Sequence, residues 1–172
     1  MKPFCRDTWV EVDLDAIRTN VETFRGHLPK NTGIMAVVKA DGYGHGAVHV
    51  AREALASGAD TLAVAMLDEA IILRQAGIEA PILVLGYTPT DSLESASRLN
   101  VELTTYSTDW IRAANRLLEQ KGLDPVRVHV KTDTGMGRLG VQTAEALLDV
   151  VGALEDSPKL EWTGIFTHFA CA

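Results

Sequence analysis

The stretch that decides the fold is Ala36-Val37-Val38-Lys39-Ala40-Asp41-Gly42-Tyr43-Gly44-His45-Gly46, in which one lysine ends an apolar run before a glycine-rich loop. The run predicts a strand over 34–40, and the three glycines allow the loop backbone to approach a ligand closely. Burial of a lysine favours its neutral amine, which Schiff-base chemistry requires with a carbonyl substrate or with pyridoxal phosphate. The alternative is a strand-end lysine that extends into solvent.

Apolar runs of strand length recur along the chain and alternate with amphipathic stretches. The runs are nearly continuous, as is typical of parallel strands that are buried on both faces. The five strands predicted after the first are Thr61–Met66, Pro81–Gly86, Val101–Thr105, Val126–Thr132 and Trp162–Phe169.

The amphipathic stretches predict helices, whose apolar stripes we interpret as core faces. The first follows Asp13 as N-cap, with apolar residues at helical spacing from Leu14 to Leu28. The other predicted helices run from Ala47 to Gly58, from Asp68 to Gly77, from Ser107 or Thr108 to about Gly122, and through Leu147–Leu154.

Six strands with intervening helices predict a parallel α/β sheet, either doubly wound or closed as a (β/α)8 barrel. No Gly-x-Gly-x-x-Gly motif opens a helix after the first strand, which weakens the doubly wound alternative. The candidate functional residues lie at or just beyond predicted strand ends: Lys39, Lys131, Arg138 and His168. Barrel enzymes assemble their sites at this position, so the pattern favours the barrel.

Three segments carry a resemblance to a known family. Val38–Gly46 closely resembles the cofactor-lysine motif of the bacterial alanine racemases, which are pyridoxal-phosphate enzymes. Val128-His129-Val130-Lys131-Thr132-Asp133-Thr134-Gly135-Met136-Gly137-Arg138-Leu139-Gly140 is similar to the family's second signature, and Gly164–Phe169 to its third. The opening Trp9–Ile17 is similar to the family's first strand and helix start, so the likeness runs from about residue 9 to the end.

The resemblance implies a TIM-type (β/α)8 barrel and a role for three of these residues. It makes Lys39 the lysine that binds pyridoxal 5′-phosphate covalently and then acts as a general base on the substrate Cα. It places Tyr43 near the cofactor phosphate, the alternative being a loop tyrosine packed on a neighbouring helix. Arg138 would contact the substrate carboxylate and the cofactor phenolic oxygen through its paired donors, the alternative being an exposed surface arginine.

Two further residues take roles from the resemblance. In several family members the lysine at the position of Lys131 carries a carbamate, which reverses its charge and holds the arginine in place. A plain solvated lysine remains the alternative. The family places the histidine that matches His168 beside the cofactor ring, whereas a lone histidine at a strand end is more often a hydrogen-bonded core residue.

The chain carries about six β/α units, and a typical barrel has eight strands and about 250 residues. The resemblance implies that residues 1–172 are the N-terminal part of the barrel, with its remainder and a C-terminal β domain outside this chain. The N-terminal strand Val10–Leu14 would associate with that domain. The complete protein would be a homodimer whose partner subunit supplies a tyrosine as the second acid/base, so this chain alone would be inactive.

Composition restricts the remaining function classes. The net charge of −7, without a basic stripe, argues against nucleic acid as a partner. No run of 18 apolar residues predicts a membrane span, and the N-terminus lacks a signal-peptide core. Cys5 and Cys171 lie at opposite ends with neither metal-ligand nor disulfide spacing, so we expect no metal site and a cytoplasmic location.

Three functions are therefore weighed. The first is the N-terminal part of an alanine racemase, which interconverts L-alanine and D-alanine for peptidoglycan supply. The second is a non-catalytic, single-domain barrel protein that binds pyridoxal phosphate through a similar lysine. The third is a class I aldolase barrel that uses Lys39 on a carbonyl substrate. Arg138 and Tyr43, within their glycine-rich motifs, favour the racemase.

Overall fold

A single sheet of six parallel strands organises the chain, with the strands side by side in the order of the sequence. The structure, a computed structural model, describes residues 8–171. The strands are β1 (Met35–Val37), β2 (Thr61–Val64), β3 (Ile82–Val84), β4 (Glu102–Thr105), β5 (Val126–Thr132) and β6 (Leu160–Thr167). The helices are α1 (Leu14–His27), α2 (Lys39–Tyr43), α3 (Ala47–Ala56), α4 (Leu67–Gln75), α5 (Leu93–Arg98), α6 (Thr108–Gln120) and α7 (Ala144–Glu155), with a 3₁₀ turn at Thr90–Ser92 before α5.

Unbroken strand order distinguishes the two predicted architectures. A doubly wound sheet reverses its strand order at a switch point, whereas a barrel adds each strand on the same side of the last. Every crossover here leads to the next strand in order, which confirms the barrel. Within residues 8–171, β1 and β6 do not pair with each other, so these residues form an open, partial barrel.

The strands present different side chains to their two faces, because successive residues of a strand point in opposite directions. Val128 and Val130 of β5 belong to the apolar core, together with helix residues such as Ile111 of α6. The intervening residues His129 and Lys131 therefore face the barrel interior. This alternation places a lysine of β5 inside the barrel near the carboxyl end of its strand.

Most predicted elements are confirmed, and β5 has the predicted bounds. The Asp13 side chain caps α1 by accepting hydrogen bonds from the amides of Asp15 (2.9 Å) and Ala16 (3.1 Å). The interpretation of the α1 stripe as a core face is wrong, because no residue of α1 is buried and Phe24 is 66% exposed. This helix contacts α3, partly through an ion pair of 2.7 Å between Arg18 and Glu53.

Three other predictions need correction. The predicted strand 34–40 is too long, because β1 ends at Val37 and Lys39 begins α2. The strand predicted over Val10–Leu14 is absent: residues 8–13 form no regular element, and a strand needs a neighbour to satisfy its backbone groups. Helix α5 was not predicted, because its six residues are too few to show a helical period.

The helices and the cysteines bear on two further expectations, those for membrane spans and for disulfides. None of the helices in residues 8–171 is long and apolar enough to cross a membrane. Cys171 is an exposed free thiol, and Cys5 lies outside the described residues.

Candidate active site

A pocket of about 360 Å³ lies at the carboxyl ends of the strands. All five residues singled out from the sequence lie in its wall, namely Lys39, Tyr43, Lys131, Arg138 and His168. The rest of the wall consists of residues that were not predicted to belong to a site, among them Leu85, Gly86, Leu139 and Phe166. A second cavity, of about 410 Å³, lies beside Tyr106 and Trp110 and includes none of the five. Residues from three distant motifs thus share one pocket.

Lys39 stands at the start of an unusual backbone turn rather than at a strand end. Ala40, Asp41, Gly42 and Tyr43 all have positive φ, between 51° and 63°, which is a left-handed conformation. The lysine is half-buried, and its Nζ lies 5.9 Å from the centre of the Tyr43 ring. Tyr43 is 58% exposed, so the alternative of a tyrosine packed on a neighbouring helix is wrong.

Two carboxylates connect this turn to the neighbouring helices α4 and α3. Glu69 accepts a hydrogen bond from the Ala40 amide (2.6 Å), and Asp41 accepts one from the amide of Ala47 at the start of α3 (2.8 Å). Gly42 packs closely, since a Cβ there would lie 3.1 Å from a methyl carbon of Val50. The turn that follows Lys39 is therefore fixed on both sides.

Lys131 is buried, with 6% of its surface exposed, so the alternative of a solvated lysine is wrong. Burial lowers the pKa of this ammonium, and the nearby Arg138 lowers it further, while Asp133 acts in the opposite direction. Its Nζ lies over the ring of Phe166, 4.7 Å from the ring centre. The amine consequently loses its proton more readily than a surface lysine does.

Arg138 lies on a loop that Asp133 holds. The Asp133 carboxylate accepts hydrogen bonds from the amides of Gly135 (3.1 Å), Gly137 (3.0 Å) and Arg138 (3.1 Å). These bonds lower the pKa of Asp133 to about 2. The Arg138 side chain is exposed, as the alternative of a surface arginine predicts, but it also lines the pocket. The loop thus carries a guanidinium to the pocket mouth.

His168 lies just beyond β6, one residue after the strand ends at Thr167, and it is exposed at the pocket. The interpretation of a buried core histidine is therefore wrong. The hydroxyl of Thr167 lies 2.8 Å from that of Thr134, which connects the end of β6 to the loop of Arg138. Among the described residues, no group of three His, Cys, Asp or Glu side chains could hold a metal ion.

A hydrogen-bonded pair, Glu102 and His129, lies within the barrel, one inward-facing position below Lys131 on β5. The Nε2 of His129 is 2.8 Å from Oε2 of Glu102, and Arg127 lies 3.2 Å from the other carboxylate oxygen. The hydrogen bond with His129 lowers the pKa of Glu102 against the effect of burial. Gly164 leaves room for the imidazole, since a Cβ there would lie 2.6 Å from its Nδ1. This pair was not predicted from the sequence, in which Gly164 of the third motif is the residue that indicates the close approach of His129.

Parallel strands in chain order, with two lysines and an arginine in a pocket at their carboxyl ends, define the chain as part of an α/β-barrel protein. Comparison with known families then identifies the particular barrel. The family model described as "Alanine racemase, N-terminal domain" matches residues 12–172. This chain therefore belongs to the alanine racemase family and matches the N-terminal portion of its members.

Individual relatives agree with this assignment. Alanine racemase 2 of Bacillus subtilis (strain 168) is 51% identical over 173 residues, covering 100% of this chain and 44% of that protein. Alanine racemase of Geobacillus stearothermophilus is 52% identical over 172 residues, with the same coverage of 100% and 44%. A crystal structure of alanine racemase from Bacillus anthracis with bound L-Ala-P superposes with a TM-score of 0.91 at 47% identity, covering 98% of this chain and 43% of that one. The chain spans less than half the length of these relatives.

Proposed function

We propose that this chain supplies the cofactor-binding part of an alanine racemase, a pyridoxal-phosphate-dependent isomerase that interconverts L-alanine and D-alanine. The observation that carries the proposal is the pocket shared by Lys39, Tyr43, Lys131, Arg138 and His168. Relatives named alanine racemase, at about half-identical sequence over the whole chain, support the choice of substrate.

The pocket fits pyridoxal 5′-phosphate in size and in chemistry. Its volume of about 360 Å³ lies within the range of about 300–1,000 Å³ that is usual for small-molecule sites. Lys39 offers an amine for covalent attachment, Tyr43 a hydroxyl for the phosphate, and Arg138 paired donors for the phenolic oxygen. His168 would lie beside the ring. The bound cofactor supplies an electron sink that stabilises negative charge at Cα.

Lys39 is the residue to which we assign proton transfer on one side of the substrate. As a base its amine would accept the proton from Cα, and the ammonium so formed would act as the acid that returns a proton. The fixed turn that follows Lys39 holds the lysine backbone in place during this transfer. Leu85, Phe166 and Leu139 add apolar side chains to the pocket wall.

Arg138 and Lys131 lie in the wall of the same pocket as Lys39. The guanidinium binds the substrate carboxylate through two N–H groups. The neutral amine of Lys131 would add to carbon dioxide and release a proton, which leaves a carbamate anion that pairs with Arg138. Its buried position and its lowered pKa support this modification.

Racemisation also needs a proton-transfer group on the opposite face of the substrate, because the new proton enters there. We assign this role to a tyrosine from a partner subunit of a homodimer. We likewise infer a further part of the barrel and a C-terminal β domain beyond residues 1–172. The D-alanine would serve peptidoglycan synthesis. For a cytoplasmic location, the supporting observation is a cysteine content without disulfide spacing.

Labelling of the cofactor lysine tests the assignment. The 172-residue chain is incubated with pyridoxal phosphate, reduced with borohydride, digested and mapped by mass spectrometry. We expect a pyridoxyl group on the Lys39 peptide, its loss in Lys39→Met, and its retention in the surface control Lys30→Met. A label on Lys131, or no label, contradicts the assignment.

Activity distinguishes the racemase from a non-catalytic cofactor carrier. We expect no racemisation above background from the 172-residue chain, because loss of one base removes about 10²–10⁴-fold. A longer protein that adds the second domain should interconvert the alanine enantiomers. A longer protein that holds the cofactor on Lys39 without racemising alanine would favour the carrier.

A further inference from the structure

The turn after Lys39 adopts a conformation that its own residues disfavour. Ala40, Asp41 and Tyr43 have φ values of 51°, 53° and 56°, although each carries a Cβ. Side chains with a Cβ rarely adopt this region, because the Cβ approaches the following carbonyl oxygen. Such strain persists only where the surroundings enforce it, and it concentrates at functional sites. Some contact must therefore hold the turn.

Glu69, in the first turn of α4, provides such a contact. Its Oε1 accepts a hydrogen bond from the Ala40 amide at 2.6 Å. Its Oε2 accepts from the amides of Ala65 at 2.7 Å and Met66 at 3.0 Å. One carboxylate thus joins the residue after Lys39 to the segment that leads from β2 into α4.

The direction of these bonds requires a carboxylate. All three partners are backbone N–H donors, and an ionised carboxylate offers acceptors on both oxygens. A glutamine would turn its own N–H₂ group towards one of the donors. Capping of α4 requires only the bond to Met66, whereas the bond to Ala40 crosses 29 residues of sequence.

We propose that Glu69 is a positioning residue for Lys39: its carboxylate holds the left-handed turn in the geometry that directs the lysine into the pocket. The proposal rests on the proposed function in one respect, namely that Lys39 is the reactive amine. Nothing in the sequence motifs assigns this role, because Glu69 lies outside all three of them.

Two variants separate positioning from helix capping. Glu69→Asp keeps the charge and can cap α4, but its side chain is about 1.5 Å shorter and cannot also reach Ala40. Glu69→Gln keeps the length and loses one acceptor. The matched control is Asp68→Asn, because Asp68 is exposed in the same helical turn and its side chain has no hydrogen bond in residues 8–171.

The first measurement is the rate of covalent attachment of pyridoxal phosphate to Lys39 in the 172-residue chain, with thermal unfolding followed in parallel. We expect both Glu69 variants to slow attachment about tenfold or more, since a small misplacement of a reacting group has effects of this size. Asp68→Asn should leave the rate within about twofold of the original chain. Normal rates in both Glu69 variants would overturn the proposal.

A rescue experiment excludes a purely structural role. Ala40→Gly removes the Cβ that disfavours positive φ. In the Glu69→Asp background this second change should restore part of the attachment rate, because the turn then forms with less enforcement. A rate that stays low and falls in proportion to thermal stability would overturn the proposal.

Amide hydrogen exchange provides a measurement that does not depend on the cofactor. The Ala40 amide of the original chain should exchange slowly and should lose its protection in Glu69→Asp, while amides of β5 keep theirs. Unchanged protection of Ala40 would overturn the proposal. If the original chain attaches no cofactor, the proposed function fails, and the exchange of Ala40 still decides the role of Glu69.

Discussion

The amine of Lys131 lies over the aromatic face of Phe166, with its Nζ 4.7 Å from the ring centre. This contact attracts a protonated lysine, but the attraction is weaker than that of a carboxylate buried beside the ammonium. Among residues 8–171, no carboxylate lies within ion-pair distance of Lys131, while Arg138 adds repulsion. The pocket therefore contains a lysine whose pKa lies below its ordinary value.

Carbon dioxide should modify Lys131 selectively. Its lowered pKa means that the neutral amine, the form that adds to carbon dioxide, is populated at a lower pH than in a surface lysine. With ¹³C-bicarbonate, we expect a carbamate NMR signal that is absent in Lys131→Met and present in Lys30→Met. The signal should fade as pH falls and the amine is protonated. A signal that survives Lys131→Met would contradict this prediction.

The loop that carries Arg138 should depend on the ionised form of Asp133. The folded pKa of about 2 lies below the ordinary value of 3.8, so the stabilisation is complete above about pH 4 and disappears as pH falls towards 2. We expect Asp133→Asn to remove this pH dependence and to speed hydrogen exchange of the Gly137 and Arg138 amides. The control Asp149→Asn, on α7, should leave both unchanged. Equal exchange rates in the two variants would refute the role of Asp133.

Gly86 should tolerate no side chain, although its φ is ordinary. A Cβ at this position would lie 2.5 Å from the carbonyl oxygen of Ala65, which is backbone and cannot turn away. We expect Gly86→Ala to lower the free energy of unfolding by about 1–3 kcal/mol. Gly152→Ala is the matched control, since a Cβ on this α7 glycine meets nothing within 4 Å and should stabilise by about 0.5–1 kcal/mol. Urea unfolding of both variants tests the pair.

The interior pair of Glu102 and His129 should contribute to stability only as a pair. Removal of one partner leaves a buried polar group without its hydrogen bond, so Glu102→Leu or His129→Leu should cost about 1–3 kcal/mol. The double variant should lose less than the sum of the single losses. Because the pKa of Glu102 is lowered, its contribution should vanish as pH falls through the folded pKa, below the ordinary value of 4.5. Additive losses in a double-mutant cycle would refute the pairing.

Sequence patterns predicted the sheet well, because strands such as β2 and β3 are short apolar runs bounded by helix signals. The bounds of β5 were predicted correctly, whereas β1 was extended by three residues at its end. Val38 belongs to the same apolar run as β1 but lies outside the strand, and a left-handed turn follows two residues later. Propensity cannot predict that turn, because Ala40 and Asp41 individually disfavour positive φ.

The sequence predicted the pocket residues that lie in recognisable motifs and missed Glu69, whose partner at the turn is a backbone group. Motifs indicated Lys39, Lys131 and Arg138, and the fold brings them into one pocket. The sequence places Glu69 only in the first turn of the helix predicted from Asp68, where α4 has it. Its bond to Ala40 has no sequence signal, because every residue except proline carries the same backbone N–H donor.

Arg138 should govern substrate turnover more than cofactor retention in a longer racemase that contains this chain. In the proposed site Lys39 would hold the cofactor covalently, so Arg138→Ala should keep its visible absorption band. The substrate carboxylate loses a charge-assisted partner worth about 1.5–3 kcal/mol, which corresponds to a fall in kcat/KM of about 10- to 150-fold. Arg138→Lys should recover little, because an ammonium cannot reproduce the two parallel N–H donors. Steady-state kinetics with the absorption band followed in parallel provides the measurement. Loss of the cofactor from Arg138→Ala, or unchanged kinetics, would mean that the arginine has a different role.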